Sequence, residues 1–281
     1  MTDAADDVDL AAYSVRIGYR GPLDPTIEVL SALIAAHNRS IPFENLDPLF
    51  GVPVDDLGAA ALADKLIHRR RGGYCYEHNG LVGFVLEQMG FHVERLTGRV
   101  VWMTAPGDPL PAVTHQVLSV SAPGVDGPHL VDVGFGGQTL TSPIRLVAGP
   151  VQQTRHEPYR LVDGDDGLVL QAQVRGQWQP LYEFTTHPRP RIDLEVGSWY
   201  VSTHPASHFV TGLTAARVTD EARWNLRGRN LAIHREGSTE KIRFETAAEV
   251  IEVLTGTFGI DLADVGEPDV VQARVAQVLD S

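Results

Sequence analysis

The stretch Arg70-Arg71-Gly72-Gly73-Tyr74-Cys75-Tyr76-Glu77-His78-Asn79 contains the only cysteine of the chain and joins two predicted helices through a pair of glycines. The glycines are predicted to end a helix over residues 59–70, and a second helix is predicted from Cys75 to a stop at Gly90. Free N–H groups at a helix N-terminus favour anions, so this position would stabilise a thiolate and could bind an oxyanion. A lone cysteine can equally be a small buried apolar residue.

The composition and net charge of the chain limit the classes of protein to which it can belong. With 43% hydrophobic and 21% charged residues, the 281-residue chain can build one large domain or two to three small ones. A net charge of −13 argues against nucleic acid or an anionic membrane as the main partner. One cysteine excludes an intramolecular disulfide and a multi-cysteine metal site. The acidic N-terminus is unlike a signal peptide, and no run reaches the roughly 18 apolar residues of a membrane span. We therefore expect a cytoplasmic protein.

The hydrophobic period changes along the chain from helical to alternating. Asp24-Pro25 provides an N-cap and first-turn proline for a helix, and the first 90 residues are predicted to be helical. From residue 92 onward, a period of two predicts strands. Later elements are predicted as a helix over 191–202, strands over 208–219, 226–235 and 240–245, and helices over 247–257 and 270–279. Helices first, then strands, then mixed elements indicate a segregated α+β fold.

A nucleophilic thiol needs a base, and the base needs an orienting group. His115 enters a predicted strand that could aim it into the interior, and Asp132 lies between valines on the next strand. A buried aspartate needs a partner, which an imidazole could supply, although a core aspartate capping a turn is the alternative. His78 is a rival base three residues after Cys75, but side chains three apart on a helix lie side by side, and no third group is available to orient its ring.

Other polar patterns carry weaker predictions. His204 and His208 have the spacing of a helical metal pair, but Pro205 between them breaks the helix, so no metal site is predicted. The glycine-rich run Gly134–Gly137 lacks the Gly-Lys-Ser/Thr of a nucleotide-hydrolase loop. Asp165 and Asp166 are interpreted as residues of a hairpin turn.

Several motifs together resemble those of the arylamine N-acetyltransferases, in order and over nearly the whole chain. They are Ile41-Pro42-Phe43-Glu44-Asn45-Leu46, the stretch around Cys75, Thr114-His115, the run from Val131 to Gly137, and Ser202-Thr203-His204-Pro205 with Ser207-His208-Phe209. The resemblance implies the short bacterial form of the family, with a core related to cysteine proteases and transglutaminases. It implies an N-terminal helical bundle over residues 1–90, a central β-barrel over 91–205 and a C-terminal α/β lid over 206–281.

The resemblance also implies a reaction and its catalytic residues. Cys75 would be the nucleophile, His115 the base and then the acid, and Asp132 the orienting carboxylate. Acetyl-coenzyme A would be a co-substrate, with no tightly bound cofactor, and its acetyl group would pass through an acetyl-cysteine to arylamines, arylhydroxylamines or hydrazines. Such chemistry belongs to xenobiotic metabolism.

Binding residues are expected beside these motifs. The candidates for the acceptor pocket are Phe43, Val100, Trp102, Thr114, Phe135 and Phe209, although each could instead belong to the core. Gly136 and Gly137 would let backbone N–H groups approach coenzyme A. Arg227, Arg229 and His234 are candidate phosphate partners or simply a solvated basic strand face. A homodimer is compatible with the sequence.

Two other functions remain open at this point. A cysteine hydrolase or transglutaminase-like enzyme could use the same three catalytic residues on a related core. A binding protein with a vestigial site is the non-enzymatic alternative. The motifs IPFENL and RGGYCYEHN favour the acetyltransferase over both.

Overall fold

The computed structural model describes residues 7–105 and 107–280, so the acidic start of the chain at residues 1–6 lies outside it. The N-terminal part is mainly helical, as predicted. Its elements are α1 (Leu10–Ile17), α2 (Ile27–Ser40), a short strand β1 (Phe43–Glu44), α3 (Leu46–Leu49), α4 (Ala59–Ala63), a π-helical segment (Asp64–His68) and α5 (Cys75–Gln88). Leu62 and Leu66, at helical spacing within the helix predicted over residues 59–70, are buried in the core of this unit.

Two predicted helix boundaries are wrong. Thr26 caps α2 in place of Asp24, because its hydroxyl accepts the N–H of Val29 at 3.3 Å. The helix predicted over residues 59–70 becomes π-helical at Asp64–His68 and ends there, and Arg70 takes a positive φ of 52°. The glycines that were predicted to stop it serve another purpose: a Cβ atom on Gly72 would overlap the carbonyl oxygen of Pro42. Gly72 therefore allows a close backbone approach, and Gly73 leaves room for the Glu77 side chain.

The central part is an antiparallel, nearly closed seven-stranded sheet. Its strands are β2 (His92–Val100), β3 (Val113–Ser121), β4 (His129–Val131), β5 (Ile144–Arg145), β6 (Tyr159–Asp163), β7 (Leu168–Val174) and β8 (Gln177–Phe184), in the order β5-β4-β3-β2-β8-β7-β6. Backbone bonds from Gly149 to Leu161 and between Gln152 and Tyr159 connect the segment after β5 to β6. These bonds nearly close the sheet into the predicted barrel.

The C-terminal part combines a second sheet with helices. Its elements are α6 (Arg191–Thr203), α7 (His208–Thr211), β9 (Thr214–Val218), β10 (Arg223–Arg227), β11 (Asn230–Arg235), β12 (Ser238–Arg243), α8 (Ala247–Gly256) and α9 (Pro268–Leu279). The strand predicted from residue 208 starts later, because Ser207 caps α7 by accepting the N–H of Phe209. The sheet order is β1-β9-β10-β11-β12, so the IPFEN segment forms one edge of this sheet.

The helical unit lies against both sheets. Helix α5 packs on β3 of the barrel, and β1 pairs with β9. Helix α6 contributes Leu194 and Val201 to the core of the N-terminal helices. The proposed boundaries at residues 90 and 205 stay a prediction. Within residues 7–105 and 107–280, none of the helices combines the length and apolar character that crossing a bilayer requires.

Candidate active site

The candidate nucleophile lies where the helical unit meets the barrel. Cys75 is the first residue of α5, and Glu77 caps this helix by accepting the N–H of Tyr74 at 3.1 Å. The Cys75 thiol donates to the carbonyl oxygen of Thr114 at 3.7 Å. A Cβ atom on Gly134 would come within 2.6 Å of the Cys75 Cα atom. Glycine at 134 therefore lets the chain after β4 pass directly beside the nucleophile.

Neighbouring strands bring the other two candidate catalytic residues together. His115 lies on β3 and Asp132 directly follows β4, and the pairing of these strands places the His115 Nε2 atom 2.8 Å from Asp132 Oδ2. Both side chains are buried. Since Nε2 is committed to Asp132, Nδ1 is the ring nitrogen available to Cys75. The structure therefore brings together the three residues that the sequence assigned to catalysis.

The charges in this group support one another. Burial alone would lower the pKa of His115, but the Asp132 carboxylate and the Cys75 side chain raise it to about 10. Burial alone would raise the pKa of Asp132, yet the His115 imidazole, the Asn79 amide and the Gly134 N–H hold it below its usual value. A protonated imidazole between a carboxylate and a thiol stabilises the thiolate, which is the reactive form.

Sequence reasoning missed the role of Asn79. Its amide donates to Asp132 Oδ1 at 2.9 Å and to the Gln116 carbonyl at 2.6 Å, and its side-chain oxygen accepts the N–H of Val133 at 3.0 Å. Asn79 is four residues after Cys75, so both lie on the same face of α5. That spacing was the available signal. We define Cys75, Asn79, His115 and Asp132 as the catalytic network.

Two groups of aromatic rings lie near the network, one against His115 and one beside Tyr74, which precedes Cys75. The rings of Phe135 and Tyr182 lie 5.2 and 4.7 Å from the His115 ring. In the second group, the Phe43 and Phe209 rings are 6.0 Å apart, and Phe209 is 5.2 Å from Tyr74. Phe43, Phe135 and Phe209 were predicted pocket residues. Tyr182 was not, because it lies on β8 with no motif around it.

The remaining predicted pocket residues occupy the rim of the barrel. Val100 ends β2 opposite Tyr182, and Trp102 packs partly against the barrel core. The Trp102 N–H donates to the Leu181 carbonyl at 3.0 Å. Thr114 presents its carbonyl oxygen, and not its hydroxyl, to Cys75. Thr114 therefore contacts the thiol through its backbone, whereas Val100 and Trp102 lie beside the site.

A second buried polar group lies on the opposite side of α5. Lys65 pairs with Glu77 at 2.5 Å and Asp47 at 2.6 Å, and Arg71 pairs with Glu44 at 3.0 Å and Asp47 at 2.8 Å. We call these five residues the ion cluster. Burial raises the pKa of Glu77 to about 7 although Lys65 opposes the shift.

Two of the candidate coenzyme A residues, Arg227 and His234, lie on one face of the C-terminal sheet, and Gly136 and Gly137 lie in a turn beside it. Gly136 takes a φ of 75° in a short turn beside the Phe43 ring, and the side chain of Asn225 on β10 occupies the space in front of Gly137. Residues paired across neighbouring strands share a face. The row that starts at Phe43 continues through Ala216, Asn225, Ala232 and Lys241. Lys241 was not predicted, because strand register is not readable from its sequence neighbours.

The three predicted phosphate partners have different surroundings. Arg227 is exposed and lies on β10 two residues after Asn225, on the same face. His234 pairs with Arg223 across β10 and β11, and its Nδ1 lies 3.0 Å from the Thr239 hydroxyl. Arg229 instead donates to the Glu245 carbonyl and to Asp280. Its charge is thus directed towards the end of α9.

His204 and His208, which have the spacing of a helical metal pair, are not on one helix. His204 ends α6 and accepts the N–H of Ala206, whereas His208 begins α7. Within the part of the chain that the structure describes, no group of three or more histidine, cysteine or acidic side chains has a geometry that could hold a metal ion.

Comparisons with known proteins identify the family. A family model described as N-acetyltransferase matches residues 26–266. An arylamine N-acetyltransferase of Mycolicibacterium smegmatis is 70% identical, over 98% of this chain and 99% of its own. The chain belongs to the arylamine N-acetyltransferase family. This confirms the family, the enzyme class and the α+β fold that the sequence predicted.

Other members of the family are similar over most of their length. The solved structure of the Mycobacterium marinum arylamine N-acetyltransferase in complex with CoA matches with a TM-score of 0.95 at 64% identity, covering 96% of this chain and 99% of that one. An arylamine N-acetyltransferase / N-hydroxyarylamine O-acetyltransferase of Salmonella typhimurium is 36% identical over 96% of this chain and 95% of its own.

Proposed function

We propose that the chain transfers an acetyl group from acetyl-coenzyme A to arylamines, arylhydroxylamines and hydrazines through an acetyl-thioester on Cys75. The observation that carries this proposal is the line from the thiol at the start of α5 to His115 and on to Asp132, with 2.8 Å between the last two. The CoA complex of the M. marinum relative supports the donor. The name of the S. typhimurium relative supports arylhydroxylamines as acceptors.

In the first half-reaction His115 holds the proton of the Cys75 thiol. The thiolate attacks the thioester carbonyl of acetyl-coenzyme A, a bond forms between Cys75 sulfur and the acetyl carbon, and the bond to coenzyme A sulfur breaks. The departing thiolate takes the proton from His115. One thioester replaces another, so the step is nearly isoenergetic. Free N–H groups in the first turn of α5 are available to stabilise the oxyanion of the tetrahedral intermediate.

In the second half-reaction the acceptor nitrogen attacks the acetyl-cysteine. A bond forms between nitrogen and the acetyl carbon, the bond to Cys75 sulfur breaks, and His115 accepts the proton lost by the amine. Water is a competing nucleophile, so an apolar pocket favours the amine. Phe43, Phe135 and Phe209 supply that pocket, with Val100, Trp102 and Thr114 at its rim.

Coenzyme A needs a local basic surface on a chain with a net charge of −13. We place its pantetheine along Gly136 and Gly137, and its phosphates on the sheet face that carries Arg227, His234 and Lys241. Neighbouring strands are about 4.8 Å apart, so the row from Phe43 to Lys241 extends over roughly 20 Å. Arg229 is not part of this placement because Asp280 already pairs with it.

The proposal is tested by intact mass spectrometry in two steps. Acetyl-coenzyme A without amine is expected to add one acetyl group to Cys75, and an arylamine or hydrazide added next is expected to remove it. Cys75→Ala, the matched control, is expected to show neither adduct nor transfer. A wild-type protein with a free thiol and no adduct would contradict the proposal. Turnover of amide or ester substrates without any acyl-coenzyme A would then favour the cysteine hydrolase.

A further inference from the structure

A chain of buried hydrogen bonds runs through the helical unit beside the active site. The Tyr13 hydroxyl lies 2.9 Å from His37 Nδ1, and His37 Nε2 lies 2.8 Å from His78 Nδ1. His78 Nε2 lies 3.1 Å from the carbonyl oxygen of Pro42. The two histidines are at most 1% exposed. These hydrogen bonds therefore join α1, α2 and α5 to the residue that precedes Phe43.

The last acceptor in this series of hydrogen bonds fixes the direction of every bond in the series. The Pro42 carbonyl can only accept, so His78 carries its proton on Nε2 and its Nδ1 accepts from His37 Nε2. His37 Nδ1 then accepts from the Tyr13 hydroxyl. Burial lowers the pKa of His78 to about 4 and that of His37 well below its ordinary value, so both rings are neutral at neutral pH. His37 thus orients the His78 ring, although the sequence predicted no orienting group for it. Both nitrogens of each ring are used, so His78 has none available to Cys75.

His78 connects the helix that carries the candidate nucleophile with Phe43, a predicted pocket residue. It follows Cys75 by one turn of α5, and its ring is nearly parallel to that of Phe43, at 16° and 6.4 Å between centroids. On its other side Phe43 faces Gly136, where a Cβ atom would come within 3.3 Å of the ring. The bond from His78 to the Pro42 carbonyl thus ties the backbone next to Phe43 to the helix that carries the thiol.

We propose that His78, held in one tautomer by His37 and Tyr13, is a positioning residue that fixes the Phe43 ring relative to Cys75 and so determines how well the amine acceptor binds. This inference rests on the proposed function, in which Phe43 lines the acceptor pocket. An apolar side chain at 78 would fill the space but leave the Pro42 carbonyl and the His37 N–H without partners. The backbone next to Phe43 would then lose its hydrogen bond to a side chain of α5.

The first test compares His78→Leu with His78→Gln. Glutamine keeps one donor and one acceptor, whereas leucine has neither. We expect His78→Leu to raise the KM for an arylamine by a factor at least five times larger than the factor by which it slows acetyl-enzyme formation. His78→Gln is expected to bring the acceptor KM most of the way back to that of wild type. His129→Gln, at a buried histidine of the barrel, is the matched control and is expected to leave the acceptor KM unchanged.

A double-mutant cycle separates positioning from general loss of stability. If His78 acts through Phe43, His78→Leu has little further effect on acceptor KM in a Phe43→Leu background. Equal effects in both backgrounds would overturn the proposal, as would an acceptor KM for His78→Leu within twofold of wild type. A wild-type protein that forms no acetyl-enzyme would instead contradict the proposed function.

Imidazole nitrogen NMR on the wild-type protein tests the same proposal without any variant. We expect neutral rings with the proton on Nε2 for both His37 and His78. A charged ring, or a proton on Nδ1 of either residue, would show that the bonds run otherwise and would overturn the proposal even if His78→Leu fails to fold.

Discussion

Helix α5 has buried ionisable groups on two sides, and they differ in one respect that matters for function. In the ion cluster each carboxylate has a cationic partner and each cation has a carboxylate, with Asp47 shared by Lys65 and Arg71. In the catalytic network the series from Asp132 through His115 ends at a thiol, whose described bond is a 3.7 Å contact to a carbonyl. Every charge in the ion cluster is thus paired, whereas the catalytic network ends at a thiol that can react.

Perturbed pKa values alone do not distinguish the two groups. The pKa of Glu77 in the ion cluster and that of His115 in the catalytic network are both shifted upward. Burial and charge partners perturb structural ion pairs as well as active sites. What distinguishes the candidate active site is that the side chain of a candidate nucleophile, Cys75, contributes to the shifted pKa of His115. The predictions below test this distinction, from the largest expected effect to the smallest.

Asp132→Asn should lower the rate of acetyl transfer by roughly 10³- to 10⁴-fold. The variant keeps the shape of the side chain but removes the charge that stabilises protonated His115 and favours the wrong imidazole tautomer. The measurement is acetyl-enzyme formation under single-turnover conditions, with circular dichroism to check the fold. A near-normal rate would show that another group orients His115.

Lys65→Met should have its main effect on stability and not on chemistry. Removal of one partner leaves Glu77 and Asp47 buried with less compensation, and breaking a buried pair costs about 3–5 kcal/mol of unfolding free energy. Denaturant unfolding measures this loss. Arg235→Ala, which breaks the exposed pair with Glu240, is the matched control and should cost under about 1 kcal/mol.

Lys65→Met also tests whether the ion cluster takes part in the reaction. The acetylation rate of folded Lys65→Met protein is expected to stay close to that of wild type. An unchanged unfolding free energy combined with lost acetylation would place the ion cluster within the catalytic machinery and contradict the distinction.

Asn79→Ala should lower the acetylation rate by roughly 10- to 100-fold. It removes one hydrogen bond to the Asp132 carboxylate, and bonds to charged groups contribute about 1.5–3 kcal/mol each. The pH dependence of the rate should also change, because the pKa of Asp132 loses one of the contacts that hold it down. A purely structural role would lower stability and leave this pH profile in place.

The raised pKa of His115 predicts how stability depends on pH. Its ordinary value is 6.5 and its value in the fold is about 10. In wild type the proton on His115 is that of the Cys75 thiol, so folding gains little proton from solvent. In Cys75→Ala no thiol supplies it, and the Asp132 carboxylate makes the folded protein bind more proton than the unfolded chain above pH 6.5. The stabilisation is complete below about pH 6.5 and is lost as the pH rises towards 10, by at most about 1.4 kcal/mol per pH unit. Unfolding measured from pH 7 to 9 should show this slope for Cys75→Ala, and a weaker one for wild type. The double variant Cys75→Ala/His115→Gln should lack it.

Local sequence signals predicted the parts of the fold that depend on near neighbours. The helix that starts at Cys75, the change to strands from residue 92 and the hairpin turn at Asp165 and Asp166 were each predicted from period and turn residues. The exceptions were boundaries decided by single contacts. The hydroxyls of Thr26 and Ser207 capped helices at positions that the hydrophobic pattern did not mark.

The sequence by itself determined the class of fold, the family and the identities of the three candidate catalytic residues, because motifs are local in the chain. Only the tertiary structure joined Asn79 to Asp132, placed Tyr182 against His115 and connected His37 through His78 to Pro42. It also placed Lys241 in the same row as Phe43. These partners are tens to nearly two hundred residues apart, and local patterns in one sequence do not indicate which distant residues come into contact. Strand register and helix packing decide them.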